Sequence, residues 1–252
     1  MKQEGTHIII QARMGSSRLP GKILMPFSGG LTFLEWVVER CKTSRIAGKV
    51  IVATTDSPKD DEIEKLCIDK GYDYVRGSES DVLMRYHLAA QTFGSKVLVR
   101  VTSDCPLVDI GEMDRAIEVL EQEGFDYVNT HPEGLPLGGG AEVFTAEAFE
   151  KVVAAAQDPY EHEHVTPYFY RHSELFKQKN IPPLNKHPFA LHARLVLDYA
   201  EDREFLTRLA AGLGLSNPTA QPSTDGILDY LETHPELVEI NAAMVQKTLP
   251  KA

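Results

Sequence analysis

The sequence predicts an α/β protein in three layers, a mostly parallel sheet covered by helices on both faces. Three observations carry that expectation. Short β-branched runs at Ile8 to Ile10, Val50 to Ala53, Tyr74 to Val75, Val97 to Val101 and Tyr127 to Val128 alternate with helical periodicity near residues 31–45, 59–70, 80–93 and 111–123. That is the pattern of strands buried on both sides with crossover helices between them. The chain has 252 residues, 42% of them hydrophobic, enough to bury one full core. The first run also ends in a loop dense in glycine, serine and cations, where open α/β sheets collect ligands.

Taken in order, Ile8-Ile9-Ile10 leads into Gln11-Ala12-Arg13-Met14-Gly15-Ser16-Ser17-Arg18-Leu19-Pro20-Gly21-Lys22, and an amphipathic segment resumes near Leu31. Glycines let backbone N–H groups approach an anion, hydroxyls donate to it, and Arg and Lys neutralise it, so this loop suits phosphates. Its spacing is neither that of a P-loop nor G-x-G-x-x-G, and a merely polar turn is the alternative. The next strands end at Thr54-Thr55-Asp56 and Ser103-Asp104, which brings three motifs to one crevice. In Ser103-Asp104-Cys105-Pro106-Leu107 the proline breaks strand pairing and exposes the Asp104 carboxylate in a turn. An Asx turn capping its own backbone is the other reading of that residue.

From about residue 131 the rhythm changes: His131-Pro132-Glu133-Gly134 and Gly138-Gly139-Gly140 bracket a turn-rich excursion. A helix from about 146 to 156 then gives way to a Pro- and His-rich stretch through His187. Arg194-Leu195-Val196-Leu197-Asp198 restores a strand, Asn217-Pro218 and Pro222 mark a loop, and Ile227 to Leu231 and Leu237 to Asn241 read as helices packing back on the body. No internal repeat or low-complexity segment interrupts this order.

A net charge of −11 argues against a nucleic-acid binder or a protein of anionic membrane surfaces. No apolar run reaches spanning length, and Met1 to Gly5 lacks the basic-then-apolar order of a signal peptide, so the expected compartment is the cytoplasm. Cys41, Cys67 and Cys105 are odd in number and widely spaced, which fits reduced thiols rather than a disulfide frame or zinc site. Cys105 is read as a small buried residue despite its place beside Asp104.

The stretch from Ile8 to Lys22 resembles the N-terminal signature of the cytidylyltransferase family of the spore coat polysaccharide biosynthesis protein F type, related to the CMP-KDO and CMP-sialic acid synthetases. The likeness continues in order through Ala53-Thr54-Thr55-Asp56, Gly77-Ser78-Glu79-Ser80-Asp81-Val82-Leu83, Arg100 to Leu107, Glu163-His164-Val165-Thr166-Pro167-Tyr168 and Leu197-Asp198-Tyr199-Ala200-Glu201-Asp202. It implies a Rossmann-like nucleotidyltransferase fold of the GT-A-like kind, with a small acceptor and dimerisation excursion. The chain is then one domain, 1–252, with a nucleotide-binding half at 1–130, an acceptor-facing excursion at 131–192, and the second metal motif with C-terminal helices at 193–252.

The implied activity is Mg²⁺-dependent transfer of CMP from CTP to an acidic sugar or related small hydroxyl or phosphate acceptor. It releases pyrophosphate, supplies surface glycan synthesis, and belongs to a cytoplasmic homodimer. A glycosyltransferase using a nucleotide sugar and a non-catalytic nucleotide-binding protein are the competing readings. No D-x-D metal motif in the first half of the chain favours the glycosyltransferase.

By the same resemblance, Asp104 and Asp198 bind the metal, with Asp202 the substitute for Asp198. Tyr199-Ala200 stands where the family has Thr-Pro, and Asp198 could instead be a helix N-cap with Glu201 as capping-box partner. Lys22, Arg13 and Arg18 would offset charge on the transferred group and on pyrophosphate, although Arg18 could be a structural ion-pair partner. Nucleotide contacts are expected from Ala12, Arg13, Gly15, Ser16, Ser17, Lys22, Thr55, Asp56, Ser78 and Asp81. The related block that ends in arginine ends here in Val82, and Asp81 also reads as an N-cap. Acceptor contacts are expected from Glu142, His164 and Tyr168, and an anion clamp from Arg85, Arg100 or Arg171. His162 and His164 are not read as a metal pair, because i, i+2 residues do not share a helix face.

Overall fold

The computed structural model describes residues 2–130, 134–220 and 222–244. Its centre is a seven-stranded sheet. The strands are β1 (Gln3–Gln11), β4 (Ala47–Thr55), β5 (Asp73–Gly77), β6 (Val97–Thr102), β7 (Tyr127–Asn129), β8 (Glu142–Thr145) and β9 (Gln178–Asn180), in the order β5-β4-β1-β6-β8-β7-β9. The small hairpin of β2 (Pro26–Ser28) and β3 (Leu31–Thr32) stands apart. β4, β5 and β6 run parallel with β1, as expected, with Ile8 level with Val50 on one side and Val99 on the other.

The departure is β8, which lies antiparallel between β6 and β7. No helix occurs among the described residues between β7 and β8, and strands joined without a crossover pair antiparallel. His131, Pro132 and Glu133, which the turn expectation included, lie outside the described residues.

The strand period of two sorts Ile8 and Ile10 into one core and Ile9 into the other. The first face is covered by α1 (Phe33–Cys41), α2 (Asp61–Lys70) and α4 (Ile110–Glu123). The second is covered by α3 (Val82–Phe93) and α5 (Ala146–Ala155), so the three-layer arrangement holds. Two short proline-started helices, α6 (Pro159–His164) and α7 (Pro167–Arg171), fill the Pro- and His-rich stretch. A third core joins Phe27, Phe33 and Trp36 to Leu195, Leu197 and the tail helices α8 (Ala200–Gly212), α9 (Thr224–Thr233) and α10 (Pro235–Val238).

The expected strand at 194–198 is reduced to one isolated parallel bridge, Arg194 with Leu137. Leu195 donates to the Leu137 carbonyl at 2.8 Å and Leu197 to that of Asp104 at 2.9 Å, which lays Asp198 beside the end of β6. Gly138 permits the approach: it holds φ +90°, and a Cβ there would stand 2.7 Å from the Leu195 oxygen. Among the described residues no helix is long and apolar enough to cross a membrane.

Candidate active site

A polar cleft of about 430 Å³ opens where β1 and β6 end. Its floor loop, residues 12–22, is closed on itself through one carbonyl, since Met14 O accepts from Ser16 N at 2.8 Å and Gly21 N at 3.1 Å. Gly21, at φ +69°, turns the chain into the short 3-10 segment Lys22–Leu24 and so aims Lys22 inward. Asp60, 1% exposed, holds the loop from below: its carboxylate accepts from Met14 N at 2.7 Å and from the Thr55 hydroxyl.

Lys22 is the hub. Its ammonium donates to Asp104 Oδ2 at 2.7 Å, to Asp198 Oδ1 at 3.0 Å and to the Leu197 carbonyl at 2.5 Å, which uses all three of its protons. Arg18 adds a contact of 2.6 Å to the same Asp198 oxygen, and Arg194 reaches the other at 3.1 Å. Burial alone would lift the Asp104 carboxyl and lower Lys22, but their mutual attraction wins. Asp104 titrates below its ordinary value, and Lys22, drawn also by Asp198, above its own. The site thus brings together Lys22, Arg18, Asp104 and Asp198, with Ala12, Arg13, Gly15, Ser16, Ser17 and His164 also on its walls. Burial lowers the His164 imidazole below its ordinary value.

Asp202 does not share the place of Asp198. Fully buried, it accepts from the backbone N–H groups of Asp198 at 2.9 Å and Tyr199 at 3.0 Å, from Arg194 Nε at 2.8 Å and from Asn241 at 2.9 Å. The cap of α8 is therefore built by Tyr199 and Asp202, and the alternative of Asp198 with Glu201 is corrected. Sequence reasoning missed Arg194, Asp60 and Asn241. A lone arginine in an apolar run, with aspartates four and eight residues on, was the available signal for the first.

Six expected contacts lie off the cleft walls. Thr55 is fully buried on Asp60, and Asp56 sits exposed in the turn after β4, its N–H on the Gly77 carbonyl. Ser78 pairs with the Ser80 hydroxyl at 3.3 Å, while Asp81 caps α3 through Met84 N at 3.0 Å and meets His162 at 2.9 Å. Glu142, 6% exposed, is held in the sheet by Arg100 at 2.6 Å and the Tyr127 hydroxyl at 2.5 Å. Tyr168 lies against His172, ring centroids 4.1 Å apart and tilted by 34°. The polar side chains of Thr55, Ser78, Asp81 and Glu142 are thus committed to fold contacts. The Cys105 thiol, raised by burial and by the neighbouring Asp104, is a poor nucleophile.

The cytidylyltransferase family profile matches residues 7–225. An uncharacterised protein of Methanocaldococcus jannaschii is 38% identical over 243 residues, 95% of this chain and 96% of its own. The spore coat polysaccharide biosynthesis protein SpsF of Bacillus subtilis is 36% identical over 207 residues, 80% of this chain and 84% of its own. A solved cytidylyltransferase of Leptospira borgpetersenii superposes with TM-score 0.85 at 30% identity, covering 99% of this chain and 100% of that one. A CMP:2-keto-3-deoxy-manno-octonic acid synthetase solved with CTP shares the fold, at TM-score 0.63 and 14% identity over 82% of this chain and 98% of its own. The cleft at the strand ends lies within the matched residues, and the chain belongs to the cytidylyltransferase family.

Proposed function

We propose that this nucleotidyltransferase moves CMP from CTP to an acidic sugar or a related small hydroxyl or phosphate acceptor, releases pyrophosphate, and works with Mg²⁺. The observation that carries the reading is the convergence of Asp104 and Asp198, far apart in sequence, on the single ammonium of Lys22. Carboxylate oxygens that both reach one nitrogen can share one hard divalent cation, so the donor set fits Mg²⁺, with Asp104 and Asp198 as its holders. Bound there, the ion would offset triphosphate charge and help align it for in-line displacement at the α-phosphorus. Lys22 and Arg18 then donate to phosphate oxygens and stabilise the charge that builds on departing pyrophosphate. Arg13 and the exposed backbone at Gly15 complete the phosphate-facing loop.

An acidic acceptor is supported by relatives named as 3-deoxy-manno-octulosonate cytidylyltransferases, and a role in surface polysaccharide synthesis by the name of the Bacillus subtilis relative. Cytoplasmic location and a homodimer belong to the same reading.

The test is the melting-temperature shift with CTP, UTP, ATP and GTP, each with and without Mg²⁺, since a ligand of the native state stabilises it by mass action. A CTP-selective, Mg²⁺-enhanced shift is expected, and a shift with nucleotide sugars alone would point instead to glycosyl transfer. Asp104→Asn should remain folded and lose pyrophosphate release. A wild-type rate in that variant would refute the role of the carboxylate pair.

A further inference from the structure

Three arginines are equal candidates in the sequence for an anion clamp, and the structure separates them. Arg100 pairs with Glu142 at 2.6 Å, though its Nε too lacks a hydrogen bond, and Arg171 pairs with Asp158 and Glu161 at 2.9 and 3.4 Å; neither is on the cleft walls. Arg85 forms no ion pair among the described residues, although it is 1% exposed and lines the cleft. Its Nη1 donates to the carbonyls of Ser78 at 2.5 Å and Glu79 at 3.2 Å. Its Nε is buried with no hydrogen bond, and the side-chain hydrogen bonds it makes among the described residues are both from Nη1. A guanidinium has five N–H donors in a planar fork, so most of this one is unspent.

The fold makes room for this side chain. A Cβ on Gly77 would stand 3.2 Å from Arg85 Cγ, so the residue that ends β5 leaves space for the arginine to pass. Arg85 lies one helical turn beyond the cap residue Asp81, and α3 packs on α6, where the Asp81 to His162 contact ties the two together. Arg85 lines the same cleft as Glu163 and His164. Burial pushes the Arg85 guanidinium below its ordinary value; Tyr86, Asp60 and Asp81 oppose this, and the like charge of Arg13 adds to it. It stays protonated at neutral pH, and no carboxylate among the described residues lies within ion-pair distance of it.

We propose that Arg85 recognises an oxyanion of the second substrate, a carboxylate on the acceptor, with its unspent donors. The proposal rests on the cytidylyltransferase reading, because a triphosphate already has Lys22 and Arg18 at the Asp104 and Asp198 end of the cleft. Arg85 stands on α3, which packs on α6, and a planar fork suits a carboxylate in bidentate fashion. The substrate class is therefore a sugar acid or similar small carboxylic acid rather than a neutral polyol. Nη1 meanwhile holds the Ser78 to Glu79 turn, so Arg85 also positions that loop.

The experiment compares wild type, Arg85→Gln and Arg85→Lys by thermal shift and calorimetry. With CTP and Mg²⁺ saturating, sodium acetate and sodium sulfate are titrated against sodium chloride at equal ionic strength. The oxyanions should raise the wild-type melting temperature by about 2–4 °C over chloride. Arg85→Gln should lose that rise while its CTP dissociation constant stays within about threefold, a factor small on the tenfold scale of an ion-pair contact. An oxyanion effect retained in the variant, or absent from wild type, overturns the proposal. So does a CTP affinity that falls tenfold or more in both variants, which would assign Arg85 to the nucleotide phosphates instead. If wild type binds no CTP, the cytidylyltransferase reading fails separately, and the same titration without nucleotide still reads Arg85. Arg85→Lys, which keeps the charge and loses the fork, serves if the glutamine variant does not fold.

Discussion

Replacing Lys22 by methionine should cripple the enzyme and yet raise its affinity for a divalent cation. The ammonium sits 2.7 Å from Asp104 and 3.0 Å from Asp198, the carboxylates proposed to share a metal ion. At about 3 Å and an effective dielectric of ~20, each contact is worth roughly 5 kcal/mol before desolvation. The net value is smaller, because burial opposes both charges and Arg18 and Arg194 remain on Asp198. Removing one partner of a buried pair costs up to about 3–5 kcal/mol. Since Asp104 keeps 24% of its side chain exposed, about 2–3 kcal/mol is a reasonable figure here, or a fall of roughly 4–12 °C in melting temperature.

The same quantity governs metal binding. A divalent cation entering wild type must displace the ammonium, and in Lys22→Met it need not, so its affinity without nucleotide should rise about tenfold or more, at 1.4 kcal/mol per factor of ten. Mn²⁺ titration followed by electron paramagnetic resonance, with the melting temperature recorded in parallel, measures both halves. Equal Mn²⁺ affinity in the two proteins would refute the idea that Lys22 holds the metal position. The pH dependence has a fixed sign. The contribution of Asp104 is present above its unfolded value of 3.8 and is lost as pH falls through its lower folded value. That of Lys22 is present below 10.5 and is lost as pH rises through its higher one. In Lys22→Met the alkaline loss should vanish and the acid loss should shrink, which urea midpoints across the pH range would record.

Two further outcomes follow from the supports of the cleft. Asp60→Ala leaves the Met14 N–H and the Thr55 hydroxyl without their acceptor, a cost of about 1–3 kcal/mol, and the KM for CTP should rise roughly tenfold as the loop loosens; unchanged KM and melting temperature would remove Asp60 from that role. His162 is raised above 6.5 mainly by its hydrogen bond to Asp81, so the tie between α6 and α3 is complete below pH 6.5 and weakens as pH rises through the folded value. Partial exposure keeps the effect to about 1 kcal/mol or less. Hydrogen exchange of residues 159–164, corrected for intrinsic rates, should therefore quicken a few-fold over that range in wild type and show no such dependence in His162→Gln.

What was legible in the sequence is what local physics dictates. Ile8 to Ile10 read as a strand buried on both faces because every residue is apolar, and Asp104 read as a carboxylate in the turn after a strand, although it is partly buried on Lys22 rather than exposed. Asp198 and Lys22 were found as residues, through blocks in a familiar order, but not as each other's partners. Thr55, Ser78, Asp81 and Glu142 show why polar residues near a site are hard to assign. A polar group close to the sheet must satisfy the fold first, and these are taken by Asp60, Ser80, the α3 cap and Arg100. Asn241 carries no local signal at all: its contacts, to Asp202 and the Arg194 carbonyl, cross some forty residues of chain.

The ion-pair network has a further consequence for how the cleft must work. Carboxylates as buried as Asp198, at 5% exposure, need counter-ions whenever the substrate is absent, and Lys22, Arg18 and Arg194 provide them. Cations held this way are not free to meet a triphosphate, which on a protein of net charge −11 must itself be attracted locally. Binding is therefore an exchange of partners. On the proposed function, a divalent ion would be held by Asp104 and Asp198, and the Lys22 ammonium and Arg18 guanidinium would then be free to meet the phosphates. Each half alone would leave a charge short of partners, since metal without triphosphate would strand Lys22, and triphosphate without metal would strand Asp104 and leave Asp198 with Arg194 only. Nucleotide and metal should accordingly bind with positive coupling, each tightening the other by the same factor, and that factor should collapse in Lys22→Met, where no ammonium remains to be handed over.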